Sequence, residues 1–186
     1  MQKEINKTEK ILRTGGIILY PTDTVWGIGC DATNEESVNR IYKIKKRVAS
    51  KKFIVLVSDE EQLKKHVINI APAAWDLIKN SNKPLTIIYE KVTGIASNIL
   101  VNGSAAIRIT KDEFCKKLIK KFGKPIVSTS ANISSSKTPS IFNEINAKIT
   151  EQVDYVVNLR QKENKTIPPS TIIKIAQNGE IIIIRK

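Results

Sequence analysis

Short apolar runs alternate with amphipathic segments along the chain, and this alternation constrains the fold more than any other feature of the sequence. Runs rich in isoleucine and valine are typical of buried strands, whereas apolar residues spaced three and four apart are typical of helices. The strand-like runs lie at 17–20, 53–57, 85–90, 105–109, 125–130 and 153–157. The helix-like segments lie at 4–14, 59–67, 72–80 and 112–123, with a further one that begins after Asn34. We therefore predict an α/β domain, with one sheet and flanking helices.

The last strand-like segment, 171-TIIKIAQNGEIIIIR-185, predicts a β-hairpin. Asn178-Gly179 near its centre is typical of a two-residue turn, and strands joined by such a turn are antiparallel. A terminal hairpin added to alternating strands and helices indicates a mixed sheet. The length suits a single domain over residues 1–186, and the chain has no internal repeat.

The composition argues against several classes of protein. Hydrophobic residues make up 41% of the chain, enough for a folded core. No apolar run approaches the roughly 20 residues of a membrane-spanning helix, and the N-terminal MQKEINKTEK lacks the apolar region of a signal peptide. Two cysteines without metal-ligand spacing and a single histidine, His66, do not form a zinc site. We expect a cytoplasmic protein without a membrane partner.

The chain is strongly basic. Thirty-one lysines and arginines face 18 acidic residues, which gives a formal net charge of +13. Such an excess favours polyanionic partners, among them nucleic acid and nucleotide phosphates. The alternative is a surface covered with lysine for solubility alone.

Two familiar nucleotide-binding patterns do not apply. The stretch 27-GIGCDA-32 matches a glycine-rich dinucleotide pattern, but Pro21–Trp26 separate it from the preceding strand, and the residues about 20 positions on are basic rather than acidic. The chain also has no P-loop motif. A nucleotide must therefore be held by other side chains.

Two segments after predicted elements carry polar or charged groups. In 21-PTDTVWG-27 hydroxyls and a carboxylate follow a buried strand, the place where α/β folds bind ligands; the alternative is an ordinary turn. In 43-KIKKRVASKK-52 six of ten residues are basic, which suits a triphosphate, although cations are also favoured at the end of a helix.

Two further features lie on strands. Arg108 stands among apolar residues in 105-AAIRIT-110, so it requires either an acidic partner or a ligand carboxylate or phosphate. The strand 125-PIVSTS-130 leads into 127-VSTSAN-132, and seven hydroxyl residues fall between Ser128 and Thr138. These hydroxyls suit ribose, phosphate or an amino acid, although they could also serve turns within the loop.

In this order, the motifs resemble the YrdC/TsaC family of threonylcarbamoyl-adenylate synthases over almost the whole chain. The resemblance is carried by 21-PTDTVWGIGCDA-32, 45-KKR-47, 84-PLT-86, 105-AAIRIT-110, 124-KPIVSTSANISSSKTP-139, 169-PST-171 and 182-IIIRK-186. It implies a YrdC-like open, twisted mixed sheet with flanking helices around a concave basic cavity. It also implies condensation of L-threonine, bicarbonate and ATP, with Mg²⁺ on the phosphates, to threonylcarbamoyl-AMP, pyrophosphate and water.

The product would serve N6-threonylcarbamoyladenosine modification at tRNA position 37, completed by a downstream tRNA threonylcarbamoyl-transferase complex. Carried over by motif, the electrostatic catalytic residues are Lys45 and Arg47. The ATP-binding set is Lys45, Arg47, Ser104, Ser130, Asn132, Thr138 and Arg185, with Lys51 as a further phosphate contact. The threonine-binding set is Thr22, Arg108, Ser128 and Ser170. No metal ligand is expected from the protein.

The chain departs from the family pattern in its loops. Val48 follows Arg47 where proline is usual, a His-Pro pair is missing after Arg108, and 130-SANISSS-136 lacks a glycine. These departures affect the shapes of the loops, and with them the expected position of Thr138 and the strength of ATP binding. One alternative is therefore a non-catalytic YrdC-like module that binds double-stranded RNA; tRNA or double-stranded RNA is also expected as a partner of the enzyme. Another alternative is an enzyme that forms a related carbamoyl-adenylate from carbamoyl phosphate in a different pathway. Family members with that activity normally contain this domain within a much longer chain.

Overall fold

The computed structural model describes residues 1–48, 53–164, 166–175 and 180–186. The helices are α1 (Gln2–Arg13), α2 (Glu35–Ile44), α3 (Glu60–His66), α4 (Pro72–Asn80), α5 (Glu113–Phe122) and α6 (Ala147–Thr150), with 3₁₀ turns at Ser97–Ile99 and Phe142–Glu144. The strands are β1 (Ile18–Tyr20), β2 (Gly27–Gly29), β3 (Ile54–Val57), β4 (Leu85–Tyr89), β5 (Ala105–Ile109), β6 (Ile126–Ser130), β7 (Tyr155–Val156), β8 (Thr171–Ile175) and β9 (Ile181–Arg185).

Local capping accounts for the positions of several helices. The Asn34 side chain accepts a hydrogen bond from the Ser37 amide at the start of α2, and Pro72 begins α4. Gly123 ends α5 in the left-handed region, with φ of 79°. The segments predicted to begin after Asn34, to begin at residue 72 and to end at residue 123 match these helices, because such signals depend on neighbours within a few residues.

In the described part of the chain the strands form one sheet in the order β7-β1-β2-β6-β3-β5-β4-β8-β9. The pairs β3–β5, β1–β7 and β4–β8 are parallel, and the others are antiparallel. The predicted mixed sheet is confirmed, as is the antiparallel pairing of β8 with β9. The predicted turn at Asn178-Gly179 lies outside the described residues.

Strand β2 was not predicted. Its second glycine, Gly29, is required by packing, since a Cβ there would lie 2.4 Å from the Val127 carbonyl oxygen and 2.7 Å from the Tyr20 ring. The glycine pattern of 27-GIGCDA-32 therefore belongs to a strand between β1 and β6 rather than to a phosphate-binding turn.

Helices cover both faces of the sheet. On one face α1 and α5 pack on an apolar cluster that includes Leu12, Tyr20, Leu56, Leu118 and Ile126. On the other face α2, α3 and α4 pack on a second cluster that includes Val38, Ile41, Val55, Leu63, Ala74 and Val127. None of the helices that the structure describes has the length and apolar character needed to cross a membrane.

Candidate active site

The site lies on the face of the sheet that carries α1 and α5, where those helices leave the strands uncovered. Alternate residues of a strand point to the same face. On β6, Ile126 packs in the cluster beneath the helices, whereas Ser128 and Ser130 line a cavity. The strand therefore changes from apolar to hydroxyl side chains where the helical cover ends.

This polar cavity has a volume of about 160 Å³. Its described lining is Thr24, Val25, Gly27, Arg47, Phe53, Ile54, Arg108, Ser128, Thr129, Ser130, Thr138, Pro169, Ser170, Ile172 and Arg185. Three arginines and six hydroxyl residues thus surround it, and no aspartate or glutamate is among these described lining residues. Such a lining suits an anionic ligand.

A larger cavity, of about 280 Å³, lies beside α4 and β4. Its lining is mostly apolar and includes Val67, Ile68, Ala74, Ile88 and Ile175. It lacks the convergent polar groups that orient a reactive substrate, so we place the chemistry in the smaller cavity.

Arg108 is only 3% exposed, has an acidic partner and also lines the cavity. Its Nη2 lies 3.1 Å from Oδ1 of Asp23, an ion pair whose direction does not give a hydrogen bond. The other oxygen of Asp23 accepts the Lys111 amide at 2.9 Å. Nε of Arg108 is buried without a hydrogen-bond partner. A buried donor of this kind is costly unless a ligand accepts from it.

Hydrogen bonds to Ser170, the residue before β8, hold the Arg185 side chain in place. Its Nε and Nη2 donate to the Ser170 carbonyl oxygen at 3.1 and 2.8 Å, and the Ser170 hydroxyl lies 2.8 Å from that of Thr86. Burial, with a contribution from the charge of Arg108, lowers the pKa of Arg185. An anion between the two guanidinium groups would relieve both effects.

Lys45 lies behind the cavity lining rather than on it. The residue is 1% exposed, and its ammonium donates to the Ser130 carbonyl oxygen, to the Asn132 carbonyl oxygen at 2.7 Å and to Asn132 Oδ1 at 3.3 Å. Burial, followed by the charge of Arg47, lowers the pKa of Lys45 to about 7. Lys45 therefore ties the end of α2 to the turn that follows β6.

Thr22 and Asn132 also shape loops. The Thr22 hydroxyl accepts the Thr24 amide at 3.0 Å and donates to the Val25 carbonyl oxygen at 2.8 Å. Asn132 Oδ1 accepts the Ser130 hydroxyl at 2.6 Å, and its amide donates to the Ser136 carbonyl oxygen at 2.6 Å. Neither side chain is part of the cavity lining.

With this geometry in hand, comparison with known proteins is informative. The Sua5/YciO/YrdC family model, described as "Telomere recombination", matches residues 10–186. The chain belongs to the Sua5/YciO/YrdC family. A threonylcarbamoyl-AMP synthase of Pseudoalteromonas translucida is 34% identical over 191 residues, which cover 91% of each chain. The resemblance inferred from the motifs is thereby confirmed.

Solved structures of the Sua5/YciO/YrdC family share the fold. E. coli YciO aligns with a TM-score of 0.85 and 25% identity, over 100% of this chain and 90% of the other. P. abyssi Sua5 complexed with L-threonine aligns with a TM-score of 0.84 and 25% identity, over 97% of this chain. The match covers 53% of that Sua5 chain, so this chain spans about half its length.

Within this Sua5/YciO/YrdC fold, the structure brings most of the expected site residues to one cavity. They are Arg47, Arg108, Ser128, Ser130, Thr138, Ser170 and Arg185. Thr22, Lys45 and Asn132 support the surrounding loops. Ser104 forms a β-bridge with Val101 before β5 and does not line the cavity. Lys51 lies outside the described residues.

Eight of the described cavity-lining residues are absent from the predicted site, among them Thr24, Phe53 and Thr129. The pairing of Asp23 with Arg108 was not predicted either. Thr24 could have been chosen from its place in 21-PTDTVWG-27. Phe53 gave no such signal, because an apolar residue before a strand is usually part of the core.

Proposed function

We propose that this protein is an L-threonylcarbamoyladenylate synthase, a nucleotidyltransferase that condenses L-threonine, bicarbonate and ATP. The products are threonylcarbamoyl-AMP, pyrophosphate and water. The observation that carries the proposal is the cavity in which three arginines and six hydroxyl residues converge without an acidic side chain among its described lining residues. The similarity to threonylcarbamoyl-AMP synthases favours this enzyme over a non-catalytic RNA-binding module.

L-Threonine would bind beside Arg108. The unpartnered Nε of Arg108 offers a charge-assisted hydrogen bond to a carboxylate, and Asp23 forms an ion pair with Nη2 of the same guanidinium. The hydroxyls of Ser128 and Ser170 lie in the same lining and can orient the amino acid. Thr22 contributes through the shape of its loop. The similarity to Sua5 complexed with L-threonine supports this placement.

ATP would bind with its phosphates toward Arg47 and Arg185. Both guanidinium groups line the cavity, and Ser130 and Thr138 add hydroxyls. Lys45 and Asn132 hold the turn that presents Ser130, so the expected phosphate contact of Lys45 becomes a supporting role in this geometry. The cavity of about 160 Å³ is below the roughly 300 Å³ of typical ligand pockets, so part of the nucleotide would extend beyond it.

The chemistry requires positioning and charge neutralisation more than a protein nucleophile. The threonine amine and bicarbonate give a carbamate and water. A carbamate oxygen then bonds to the α-phosphorus of ATP as the bond to pyrophosphate breaks. The arginines would stabilise the charge that develops on the phosphate oxygens.

Mg²⁺ is proposed as the counter-ion of ATP. Within the described ranges no group of three or more His, Cys, Asp or Glu residues is placed to hold a metal. Phosphate oxygens and water would therefore provide its ligands, which is the usual mode for this ion. The metal would neutralise phosphate charge, and Arg47 and Arg185 would do the same from the protein side.

The product is an activated carbamoyl group on AMP, so a transferase must consume it. We propose that a tRNA threonylcarbamoyl-transferase complex uses it for N6-threonylcarbamoyladenosine at tRNA position 37 in the cytoplasm. The net charge of +13 is compatible with transient contact with tRNA or double-stranded RNA.

Pyrophosphate release tests the proposal. The purified protein with ATP, Mg²⁺, L-threonine and bicarbonate is expected to release pyrophosphate, and omission of threonine or bicarbonate should return the rate to background. Replacement of L-threonine by D-threonine is the matched control, since the two have the same functional groups but D-threonine should not fit the threonine part of the cavity. Background release in the complete mixture would contradict the proposal.

A further inference from the structure

The two edges of the sheet differ in length and in chemistry. Strand β7 has two residues, and its Tyr155 hydroxyl donates to Glu4 of α1 at 2.6 Å. Strand β9 has five residues, Ile181–Arg185, and the first four are isoleucines with exposed fractions of 46%, 42%, 54% and 55%. In the described part of the chain β9 pairs only with β8.

An edge strand presents unpaired backbone N–H and C=O groups that can pair with another strand. Proteins usually protect such edges with charged residues, proline or very short strands. The four isoleucines of β9 have none of these devices, and they are apolar on both faces of the sheet. The register with β8 shifts between Ile172, opposite Arg185, and Ile173, opposite Ile183, so Ile184 is the extra residue of a β-bulge. Ile181, Ile182 and Ile183 keep regular pairing with β8.

We propose that β9 pairs antiparallel with β9 of a second copy of this chain, which gives a two-fold dimer with a continuous sheet. A symmetric interface requires a strand that is complementary to itself. When Ile183 lies on the two-fold axis, Ile182 faces Ile184 of the other copy. The same register places Glu180 of each copy opposite Lys186 of the other, so charges of opposite sign meet at both ends.

The interface and the cavity share a strand. Arg185 belongs to β9, and its guanidinium reaches back to Ser170 in the cavity lining. Pairing through the isoleucines leaves this contact intact, because it uses the backbone edge that β8 does not occupy. The dimer therefore leaves the site open and holds the strand that carries one of its cations.

Light scattering coupled to size exclusion tests the dimer. We expect a particle of twice the chain mass of 20.8 kDa at about 100 µM, since a dimer population depends on protomer concentration. Ile183→Lys should give the single-chain mass. Ile68→Lys, which changes an isoleucine that is 49% exposed outside β9, should keep the dimer. A monomeric parent, or a dimer unchanged by Ile183→Lys, would overturn the proposal.

A cross-linking experiment remains informative if Ile183→Lys fails to fold. Both natural cysteines, Cys30 and Cys115, are buried, so the new thiol of Ile183→Cys would be the exposed one. At the two-fold axis it faces its own copy, and mild oxidation should give a disulfide-linked dimer. Val101→Cys, at a position of similar exposure, should stay monomeric on denaturing gels. Equal cross-linking of both variants would contradict the interface.

Discussion

The covered and open parts of one sheet face differ in what lies over the strands rather than in the strands themselves. Beneath α1 and α5, Ile126 and Leu56 are fully buried among apolar side chains. On the same strand as Ile126, Ser128 and Ser130 line the cavity, and Arg108 joins them from β5, on the far side of β3. A gap in the helical layer therefore creates the site, and the covered part supplies the rigid support.

The two parts also differ in how their polar groups are satisfied. In the covered part, the few polar groups are paired within the protein, as when the Tyr20 hydroxyl donates to the Val127 carbonyl oxygen at 3.1 Å. In the open part, Arg108 keeps a buried donor without a partner. Buried polar atoms without hydrogen-bond partners at a cavity are typical of a ligand site, whereas buried polar atoms in a core usually have partners within the protein.

Leu118→Ala should have the largest effect and should act on stability alone. Leu118 is fully buried on the inner face of α5, so its truncation is expected to lower the free energy of unfolding by about 2–5 kcal/mol. Activity per folded molecule should not change. Denaturant unfolding measures the first quantity and pyrophosphate release the second. The exposed Lys117→Ala on the same helix is the control, with an expected loss below about 0.5 kcal/mol.

Arg47→Ala should show the opposite pattern. We expect kcat/KM for ATP to fall by about 10²–10³-fold, because a preorganised cation near the phosphates is lost. Stability should change little by comparison. Arg40→Ala removes an exposed arginine that pairs with Asp154 outside the cavity, and it should leave steady-state kinetics unchanged. Equal losses in both variants would show that general charge, rather than the cavity, is responsible.

Lys45→Met should alter the pH dependence of stability. The folded protein lowers the pKa of Lys45 from 10.5 to about 7 through burial, so the unfolded chain binds more protons between these values. The stability of the parent should therefore rise with pH across this window relative to Lys45→Met, with a slope of at most about 1.4 kcal/mol per pH unit.

Urea unfolding at a series of pH values from 6 to 10 measures this difference. Lys43→Met, an exposed lysine in the last turn of α2, is the control and should follow the parent. A parent and a Lys45→Met variant with parallel pH profiles would mean that the ammonium is not buried against the Ser130–Asn132 turn.

Ser128→Ala should have the smallest effect. One hydrogen bond to the amino acid is worth about 0.5–1.5 kcal/mol, so KM for threonine should rise about 2–10-fold while KM for ATP stays constant. Ser136→Ala, at an exposed position of the following loop, should change neither constant. A rise in KM for ATP alone would move Ser128 from the threonine part of the cavity to the nucleotide part.

The sequence predicted the fold well where local signals decide it. The spacing of apolar residues located α1 to α5 and most strands, but not the four-residue α6. The caps Asn34 and Gly123 mark the start of α2 and the end of α5. Strand β2 escaped notice because it has three residues, two of them glycine, and its form depends on Tyr20 and Val127. That contact is tertiary, and no local pattern encodes it.

The motifs predicted some of the residues that line the cavity, but not how the side chains are arranged around it. Motifs identified Arg47, Arg108 and Arg185, which the fold brings together from the segment after α2, from β5 and from β9. They could not show that Lys45 points at the carbonyl oxygens of Ser130 and Asn132, because this depends on how the end of α2 packs against the turn after β6. The assignment of these residues to ATP or threonine stays a prediction.

The central claim is that one cavity joins threonine, bicarbonate and ATP, and product analysis with isotope-labelled bicarbonate tests it most directly. We predict a threonylcarbamoyl-AMP product that carries the labelled carbon, formed only when all three substrates are present. A product that forms without bicarbonate, such as threonine joined directly to AMP, or ATP turnover with no labelled adenylate, would contradict the claim.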